Sequence, residues 1–204
     1  SVRDLRDDKG ERRFKGIICE GADRILGYRS PNYVYRPPAP AGHELQGRGK
    51  RPFGVLLKNY RLSDDIAFRF SNRGWAEWPL SAEKFAGWVN QINGDGFLCN
   101  LFMDYETFGE HQWADTGIFQ FLEALPAAVF DVNPGHNHFN TPSEALDQFD
   151  PVGEYDAPQF ISWADTERDL TAWRGNAMQS NALEEIYRLE RPIKQKLAAA
   201  EKDG

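Results

Sequence analysis

A short run of chemically reactive side chains follows the most apolar segment of the chain. This run, MDYETFGEHQW, covers residues 103–113 and begins where the apolar residues 97–103 end. Asp104 and Glu106 are two residues apart, so their side chains point to the same side if the extended geometry of a strand continues. Two carboxylates on one side repel each other, which favours keeping a proton on one of them. The spacing therefore predicts a general acid next to a second carboxylate.

His111, Gln112 and Trp113 add hydrogen-bonding groups and a flat apolar surface to this acidic pair. A carboxylate pair, an imidazole and an indole are the groups that carbohydrate chemistry uses, because it needs proton transfer, hydrogen bonds to hydroxyls and a surface for the face of a sugar ring. The structural alternative is an acidic pair that caps the following helix, with His111 and Trp113 packed at the surface. A lone D-x-E is a weak signal, whereas the whole run is much less expected by chance.

Alternating strand and helix signals surround this run. The predicted strands are 14–20 (FKGIICE), 53–57, 97–103 and, as a short strand, 137–140, because each is an apolar run bounded by turn residues. The first predicted helix is short, has Ser63 as N-cap and carries Ile66, Phe68 and Phe70. The next two are 79–92, with Ser81 as N-cap, and 113–125. A helix from Pro142, with Thr141 as N-cap, and a long charged helix over 176–201 follow. In the long helix, the apolar residues Leu183, Ile186, Leu189 and Ile193 are expected to face the core. This order predicts an α/β protein with a parallel sheet and helices outside it.

Composition narrows the classes of function. The chain of 204 residues carries 24 basic and 31 acidic side chains, a net charge of −7, which argues against a nucleic-acid partner. No apolar run approaches the ~20 residues of a membrane span, and no signal peptide is recognised, so a cytoplasmic location and no membrane partner are expected. Cys19 and Cys99 lie in apolar runs and are interpreted as buried thiols of a reducing compartment. Aromatic side chains make up 13% of the chain, which suits a sugar-binding cleft.

Several further residues have both a functional and a structural interpretation. Glu20 ends the first predicted strand, so it is either a second catalytic carboxylate or a partner of a neighbouring loop or a sugar hydroxyl. Arg61 and Asp64 follow a strand end and either bind sugar hydroxyls or, for Asp64, cap a helix. Trp163 is either a stacking platform or packing. The Pro-rich loop 27–52 is a candidate lid through Arg29, Tyr33 and Tyr35, or surface packing, and the pair His136 and His138 lacks further ligands at metal-binding spacing.

The run at residues 103–113 resembles the fourth conserved stretch of glycoside hydrolase family 57, an α-amylase and α-glucan-transferase group built on an incomplete (β/α)7 barrel. Further stretches that resemble the α-amylase-like branch of this family are FKGIICEGADRILGYRSPNYVYR, LLKNYRLSDDIAFRFS, DTGIFQFLEALP, FNTPSEAL and ISWADTERDLTAWRGNAMQ. They occur in the family's order and cover roughly residues 14–195. The resemblance implies part of a TIM-like barrel with parallel strands over residues 14–204, preceded by a charged segment at residues 1–13.

The resemblance also implies a mechanism. Asp104 corresponds to the general acid/base of a retaining double displacement. The family's nucleophile, a Glu, belongs to an earlier strand ahead of residue 14, and residues 1–13 do not match that stretch. The family's late aromatic stretch is expected beyond Gly204. We therefore expect a fragment that lacks both stretches, which leaves open whether the chain by itself is active.

Three functions follow from these observations. The first is a glycoside hydrolase or transglycosylase that acts on an α-glucan or oligosaccharide, of the α-amylase or 4-α-glucanotransferase type. The second is a catalytically inactive glucan-binding or structural fragment. The third is a metal-dependent polysaccharide deacetylase on a related barrel. No cofactor is expected for the first two, and the sequence leaves the oligomeric state and the glycosidic linkage open.

Overall fold

Strands and helices alternate along the computed structural model, which describes residues 4–38 and 51–203. The elements in chain order are β1 (Gly16–Cys19), α1 (Asp23–Leu26), β2 (Val34–Tyr35), β3 (Gly54–Leu57), α2 (Tyr60–Asp64) with a π-helical continuation (Asp65–Arg69), α3 (Ala82–Asn90), two 3₁₀ turns (Tyr105–Thr107 and Ala114–Thr116), α4 (Ile118–Asp131), α5 (Pro142–Gln148), α6 (Thr171–Arg174) and α7 (Ala177–Asp203). The chain divides into two compact units, Ser1–Asp156 and Ala157–Gly204. The predicted division into a segment 1–13 and a barrel 14–204 stays a prediction.

A small mixed sheet carries the strands in the order β1-β3-β2. β1 and β3 are parallel, with Ile18 opposite Leu56. β2 pairs antiparallel with the other edge of β3 and lies in the Pro-rich loop, where no strand was expected. All four residues of β3 are buried, as the unbroken apolar run predicts for a central strand. The α/β class and the parallel pair are confirmed, whereas the antiparallel β2 departs from the expected parallel sheet and closure into a barrel stays a prediction.

Two glycines let a helix approach this sheet closely. Gly16 and Gly54 are paired in register at the start of β1 and β3. A Cβ atom at Gly54 would overlap the Leu146 side chain of α5, and one at Gly16 would overlap the Gly54 carbonyl oxygen as well. The absence of side chains at these two positions therefore makes room for Leu146 on the face of the sheet.

Two apolar clusters form the core of the unit Ser1–Asp156. The sheet cluster joins β2, β3 and the end of this unit through Leu26, Tyr35, Val55, Leu57 and Tyr155. The helix cluster joins α3 and α4, where the Phe85 and Phe121 rings meet edge to face with centroids 5.8 Å apart. Tyr35, a candidate lid residue, is buried in the sheet cluster, so it is not part of a lid. Residues 39–50 of the predicted lid lie outside the described residues.

Two of the three predicted N-caps, Ser81 and Thr141, lie at the start of a helix. The Ser81 hydroxyl accepts a hydrogen bond from the Lys84 amide at the start of α3, and Thr141 forms a capping box with Glu144 at the start of α5. α2 differs: Asn59 is its N-cap, and the predicted cap Ser63 lies inside the helix. α4 starts later than predicted because residues 114–116 form a 3₁₀ turn that ends at Gly117.

Two predicted strands are absent from the described residues. Residues 137–140 are irregular, and residues 97–103 are a bend followed by irregular chain without strand pairing. Both edges of β3 are occupied by β1 and β2. The segment 97–103 instead bonds to the end of β3, where the Asn59 amide donates to the Asn100 carbonyl at 2.9 Å.

α7 extends over the range predicted for the long helix, but its apolar residues do not face a core. Ile186, Leu189 and Ile193 are exposed, so their predicted burial is wrong. Local periodicity defines the apolar face of a helix, whereas its burial depends on a packing partner. No helix among residues 4–38 and 51–203 is both long and apolar enough to cross a bilayer.

Gly54→Ala should destabilise the unit by about 1–3 kcal/mol, because the new methyl group overpacks the site occupied by Leu146. Gly87→Ala is the matched control: Gly87 lies within α3, and nothing is within 4 Å of its added Cβ. The control should be neutral or stabilising by up to about 1 kcal/mol. Urea unfolding curves measure both changes, and equal stability of Gly54→Ala and wild type would contradict this packing.

Candidate active site

A buried ionic cluster lies at the carboxyl ends of the two parallel strands. Glu20 follows β1, Lys58 follows β3 and Asp64 ends α2. The Lys58 ammonium nitrogen is 3.6 Å from Glu20 Oε2 and 3.6 Å from Asp64 Oδ1. The side chains of Glu20 and Lys58 are only 2% and 5% exposed. Charges this deeply buried require mutual compensation, so the cluster ties three elements together.

Glu20 has further partners on its own side of the cluster. The Gly21 amide donates a hydrogen bond to Glu20 Oε1 at 3.1 Å, and the Tyr155 hydroxyl donates to the Glu20 carbonyl at 3.1 Å. Burial raises the pKa of Tyr155 to about 12, with smaller contributions from the neighbouring Cys19 and Glu20. Tyr155 therefore keeps its donor proton at neutral pH. The environment of Glu20 favours the structural interpretation of this residue, and its catalytic role stays a prediction.

A set of polar side chains connects this edge to the segment that precedes Asp104. The Asn100 side-chain amide donates to the Leu57 carbonyl at 3.0 Å. The Ser63 hydroxyl donates to the Asn59 carbonyl at 2.8 Å and accepts from the Phe102 amide at 3.1 Å. These bonds hold residues 100–102 against the end of β3 and the first turn of α2. Ser63 thus serves as a link between segments, a role that the sequence pattern did not predict.

Asp104 lies two residues beyond this attachment. Its backbone is extended, and it is the last residue before the turn Tyr105–Thr107. Two residues of extended chain span at most about 7 Å, so the Cα atom of Asp104 lies within that distance of Phe102. Its side chain is exposed. Asp104 is therefore a solvent-accessible carboxyl group near the edge that holds the buried cluster.

The predicted same-side arrangement of Asp104 and Glu106 is wrong. Extended geometry stops at Asp104, and Glu106 belongs to a 3₁₀ turn, in which successive side chains are about 120° apart. The Glu106 carbonyl accepts hydrogen bonds from the amides of Glu110 and His111. Glu106 therefore helps to close the loop through its backbone, and its catalytic role stays a prediction.

The rest of this loop is anchored to the helix core. The side-chain amide of the buried Gln112 donates to the Ala67 carbonyl at 2.9 Å. Its backbone amide bonds to the Thr107 carbonyl, and Thr107 is also buried. The run 103–113 predicts Gln112 as a hydrogen-bond donor for a ligand, whereas its donor anchors the loop inside the protein. The loop is thus held at two points and presents its remaining side chains outward.

His111 and Trp113 are two of these outward side chains. Trp113 is 66% exposed, and its indole N–H donates to the Glu110 carbonyl at 2.7 Å. The hydrogen bond orients the ring and satisfies its polar group, which leaves the apolar face accessible. An oriented, exposed indole is suited to stacking on the apolar face of a sugar ring. His111 is exposed beside it in the chain and adds a donor or acceptor.

Arg61 lies on the exposed surface near α1. Its guanidinium is 3.4 Å from an Asp23 carboxylate oxygen and also donates to the Tyr60 hydroxyl at 3.3 Å. The hydrogen bond to Tyr60 and the negative charge of Asp23 raise the pKa of Arg61 above its usual value, so the group stays charged. Arg61 is accessible to a ligand, whereas its sequence neighbour Asp64 faces the buried cluster.

Trp163 belongs to the other compact unit, Ala157–Gly204. Its side chain is 41% exposed, and its carbonyl accepts a hydrogen bond from Arg168 at 3.2 Å. Its proposed role as a stacking platform stays a prediction.

The two cysteines are free, as predicted. Burial raises the pKa of both thiols, that of Cys99 to about 12, so neither forms a reactive thiolate near neutral pH. Within residues 4–38 and 51–203, no group of three or more His, Cys, Asp and Glu side chains is arranged to hold a metal ion.

The geometry is that of a mixed α/β protein with charged side chains at the carboxyl ends of parallel strands, the edge at which α/β enzymes carry their active sites. The sequence profile of glycosyl hydrolase family 57 matches residues 10–158, so the chain belongs to this family. The family expected from the sequence is thereby confirmed.

A curated relative shows the same relationship. The chain is 46% identical over 186 residues to a protein of Methanocaldococcus jannaschii named "Putative alpha-amylase". The match covers 89% of this chain and 36% of that protein, so the chain spans little more than a third of the length of this relative. No solved structure matches the chain.

Lys58→Met should destabilise the chain by about 3–5 kcal/mol at neutral pH, because it leaves two buried carboxylates without their cation. Chemical unfolding at neutral pH measures this difference.

Lys15→Met is the matched control for Lys58→Met. Lys15 pairs with Asp147, and both side chains are more than half exposed. Its loss should cost at most about 1 kcal/mol. A Lys58→Met variant as stable as this control would show that the buried cluster does not hold the edge together.

Proposed function

We propose that the chain is part of an α-glucan-acting glycoside hydrolase or transglycosylase of the α-amylase type, with Asp104 as its general acid/base. The observation that carries the proposal is the attachment of residues 100–102 to the end of β3, through Leu57, Asn59 and Ser63. This attachment brings an exposed carboxyl group to the edge that bears the buried ionic cluster. Membership of glycosyl hydrolase family 57 supports the same assignment.

The proposed reaction is a retaining double displacement. In the first step, the Asp104 carboxyl group protonates the glycosidic oxygen while a second carboxylate attacks the anomeric carbon and the C–O bond to the leaving sugar breaks. In the second step, the Asp104 carboxylate removes a proton from water or a sugar hydroxyl, whose oxygen displaces the enzyme carboxylate. Asp104 suits both steps because it is solvent-accessible and follows a fixed segment.

The second carboxylate is proposed to come from sequence that the chain does not carry. The resemblance assigns it to a Glu on an earlier strand, and residues 1–13 do not match that stretch. Glu20 is less suited to the role, because its carboxylate is buried against Lys58 at 3.6 Å. A nucleophile needs an accessible oxygen facing the anomeric carbon.

The proposed sugar-binding surface is the outer side of the loop 104–113. Trp113 offers an oriented ring for stacking, and His111 offers a hydrogen-bonding group. Arg61 provides a charged hydrogen-bond donor on the exposed surface near α1. A glucan has both apolar ring faces and many hydroxyl groups, so a ring platform with polar neighbours fits its chemistry.

Asp104→Asn should abolish nearly all turnover of maltooligosaccharides, since an amide cannot donate and recover the proton. A loss of about 10²–10⁴-fold in kcat, with KM nearly unchanged, is expected for removal of a general acid/base. The measurement is reducing-sugar release by the protein that the complete reading frame encodes. Asp115→Asn, an exposed carboxylate in the next turn, is the matched control and should keep full activity.

The outcomes separate the three functions. Retained activity in Asp104→Asn would overturn the assignment of Asp104. A wild-type protein that binds maltooligosaccharides without cleaving them would favour the glucan-binding alternative. Full activity in excess chelator would exclude the metal-dependent deacetylase alternative.

Trp113→Ala should weaken the binding of maltooligosaccharides by about 5–10-fold, because loss of one stacking contact costs about 1 kcal/mol. Calorimetric titration of the chain with maltoheptaose measures the dissociation constant. Trp173→Ala, which removes an exposed Trp of the unit Ala157–Gly204, is the control and should bind as wild type does. Equal affinity of the Trp113→Ala variant and wild type would exclude the ring as a platform.

A further inference from the structure

The helix α7 carries an apolar stripe that is mostly exposed. The stripe consists of the half-buried Leu183 and the exposed Ile186, Leu189, Ile193 and Leu197. Their spacing of three or four residues places all five on one face. Ile186 is 65% exposed and Ile193 is 60% exposed. An exposed apolar stripe along a helix is typical of an association surface.

The charged side chains that border the stripe have a definite order. Glu185 and Lys196 are about three helical turns apart and lie along one side of it. Glu190 and Lys194 are one turn apart and lie along the other side. In each of these two pairs the acidic residue is nearer the N-terminus of the helix. The middle of the surface therefore runs from negative to positive charge, and Glu201 follows about two turns beyond Lys194 on the second side.

We propose that the α7 stripe pairs with the α7 stripe of a second copy of this chain, with the two helices antiparallel. A two-fold axis level with Glu190 brings Ile186 of one copy close to Ile193 of the other. The same axis brings Glu185 beside Lys196 of the second copy. The arrangement is isologous, since each copy contributes the same surface.

The charge order also selects this direction over a parallel pair. In the antiparallel pair, the acidic residues of these two pairs lie against the basic residues on both sides of the stripe, and Glu190 lies near Lys194 of the second copy. A parallel pair brings Lys194 of one copy beside Lys196 of the other, which is a repulsive contact. Charges beside an apolar seam set partner and orientation in this way in coiled coils.

The existing ion pairs of α7 do not compete strongly with this association. Arg188 pairs with Glu185 and Lys194 pairs with Glu190 within the helix, and all four side chains are about half exposed or more. Exposed pairs of this kind contribute little and can be shared with a second copy. Lys196 has no ion-pair partner among the side chains that the structure describes. It is therefore available to Glu185 of the second copy.

The association should be concentration-dependent. The stripe spans about 21 Å of helix, which buries less area than a standard stable interface. Sedimentation velocity over an approximately hundredfold dilution series of the chain should show a dimer that dissociates on dilution, as mass action requires. A monomer at every concentration would overturn the proposal.

Ile186→Asn combined with Ile193→Asn should give a monomer throughout the same series. Both residues are exposed in the isolated chain, so the circular dichroism spectrum of this variant should match that of wild type at the dilution where wild type is monomeric. A dimer that survives this double substitution would overturn the proposal, because it would use another surface.

A charge exchange tests the antiparallel direction. Glu185→Lys and Lys196→Glu should each weaken the dimer by about tenfold. In a two-fold symmetric dimer the contact between residues 185 and 196 occurs twice, so each single substitution creates two contacts between like charges. The double variant should restore the wild-type dissociation constant. Glu184→Lys makes the same charge change on the opposite face of α7 and should have little effect. Failure of the double variant to recover would overturn the antiparallel arrangement.

Discussion

A lysine ammonium group buried between two carboxylates is the interaction on which the rest of this structure depends. Lys58 lies 3.6 Å from Glu20 and 3.6 Å from Asp64, and these residues belong to the ends of β3, β1 and α2. Removing such charges from water is costly, so any one of them without its partners would oppose folding. The cluster therefore requires the two strands and the helix to end at one place, and it defines an edge with fixed geometry.

The proposed active site follows from that edge by a short chain of contacts. Asn59 caps α2 directly after Lys58, and Ser63 precedes Asp64, so the residues that bind the segment 100–102 are neighbours of the cluster. Asp104 comes two residues later, and the loop after it is anchored at Gln112. The buried charges thus provide rigidity, whereas the exposed carboxyl group and the Trp113 ring supply the proposed chemistry.

The sequence predicts the parts of this fold whose signals are local. Ser81 and Thr141 cap helices because a hydroxyl before a helix satisfies a free amide, and the apolar run of β3 is buried on both faces. The prediction for residues 97–103 is wrong because this segment bonds to residues that follow β3, such as Asn59, and pairs with no described strand. An apolar pattern indicates contact with a core, but it does not show which backbone groups the segment will bond to.

The candidate site is predicted less completely than the elements around it. The run 103–113 identifies Asp104, His111 and Trp113, all of which are exposed. For Glu106 the expected strand geometry is absent, because this residue lies in a 3₁₀ turn. The burial of Lys58 is not predicted, because a single lysine after a strand is usually solvent-exposed. Its role depends on contacts with Glu20 and Asp64, which are distant in sequence or on another element and come together only in the folded chain.

The central claim is that the loop 104–113 and the edge at the end of β3 form one glucan-binding surface. The most direct test is an NMR titration of the ¹⁵N-labelled chain with maltoheptaose. The account predicts that the largest shifts affect the Trp113 indole N–H and the amides of residues 59–64 and 104–113. Shifts confined to other parts of the chain, or none with maltoheptaose in excess, would contradict it.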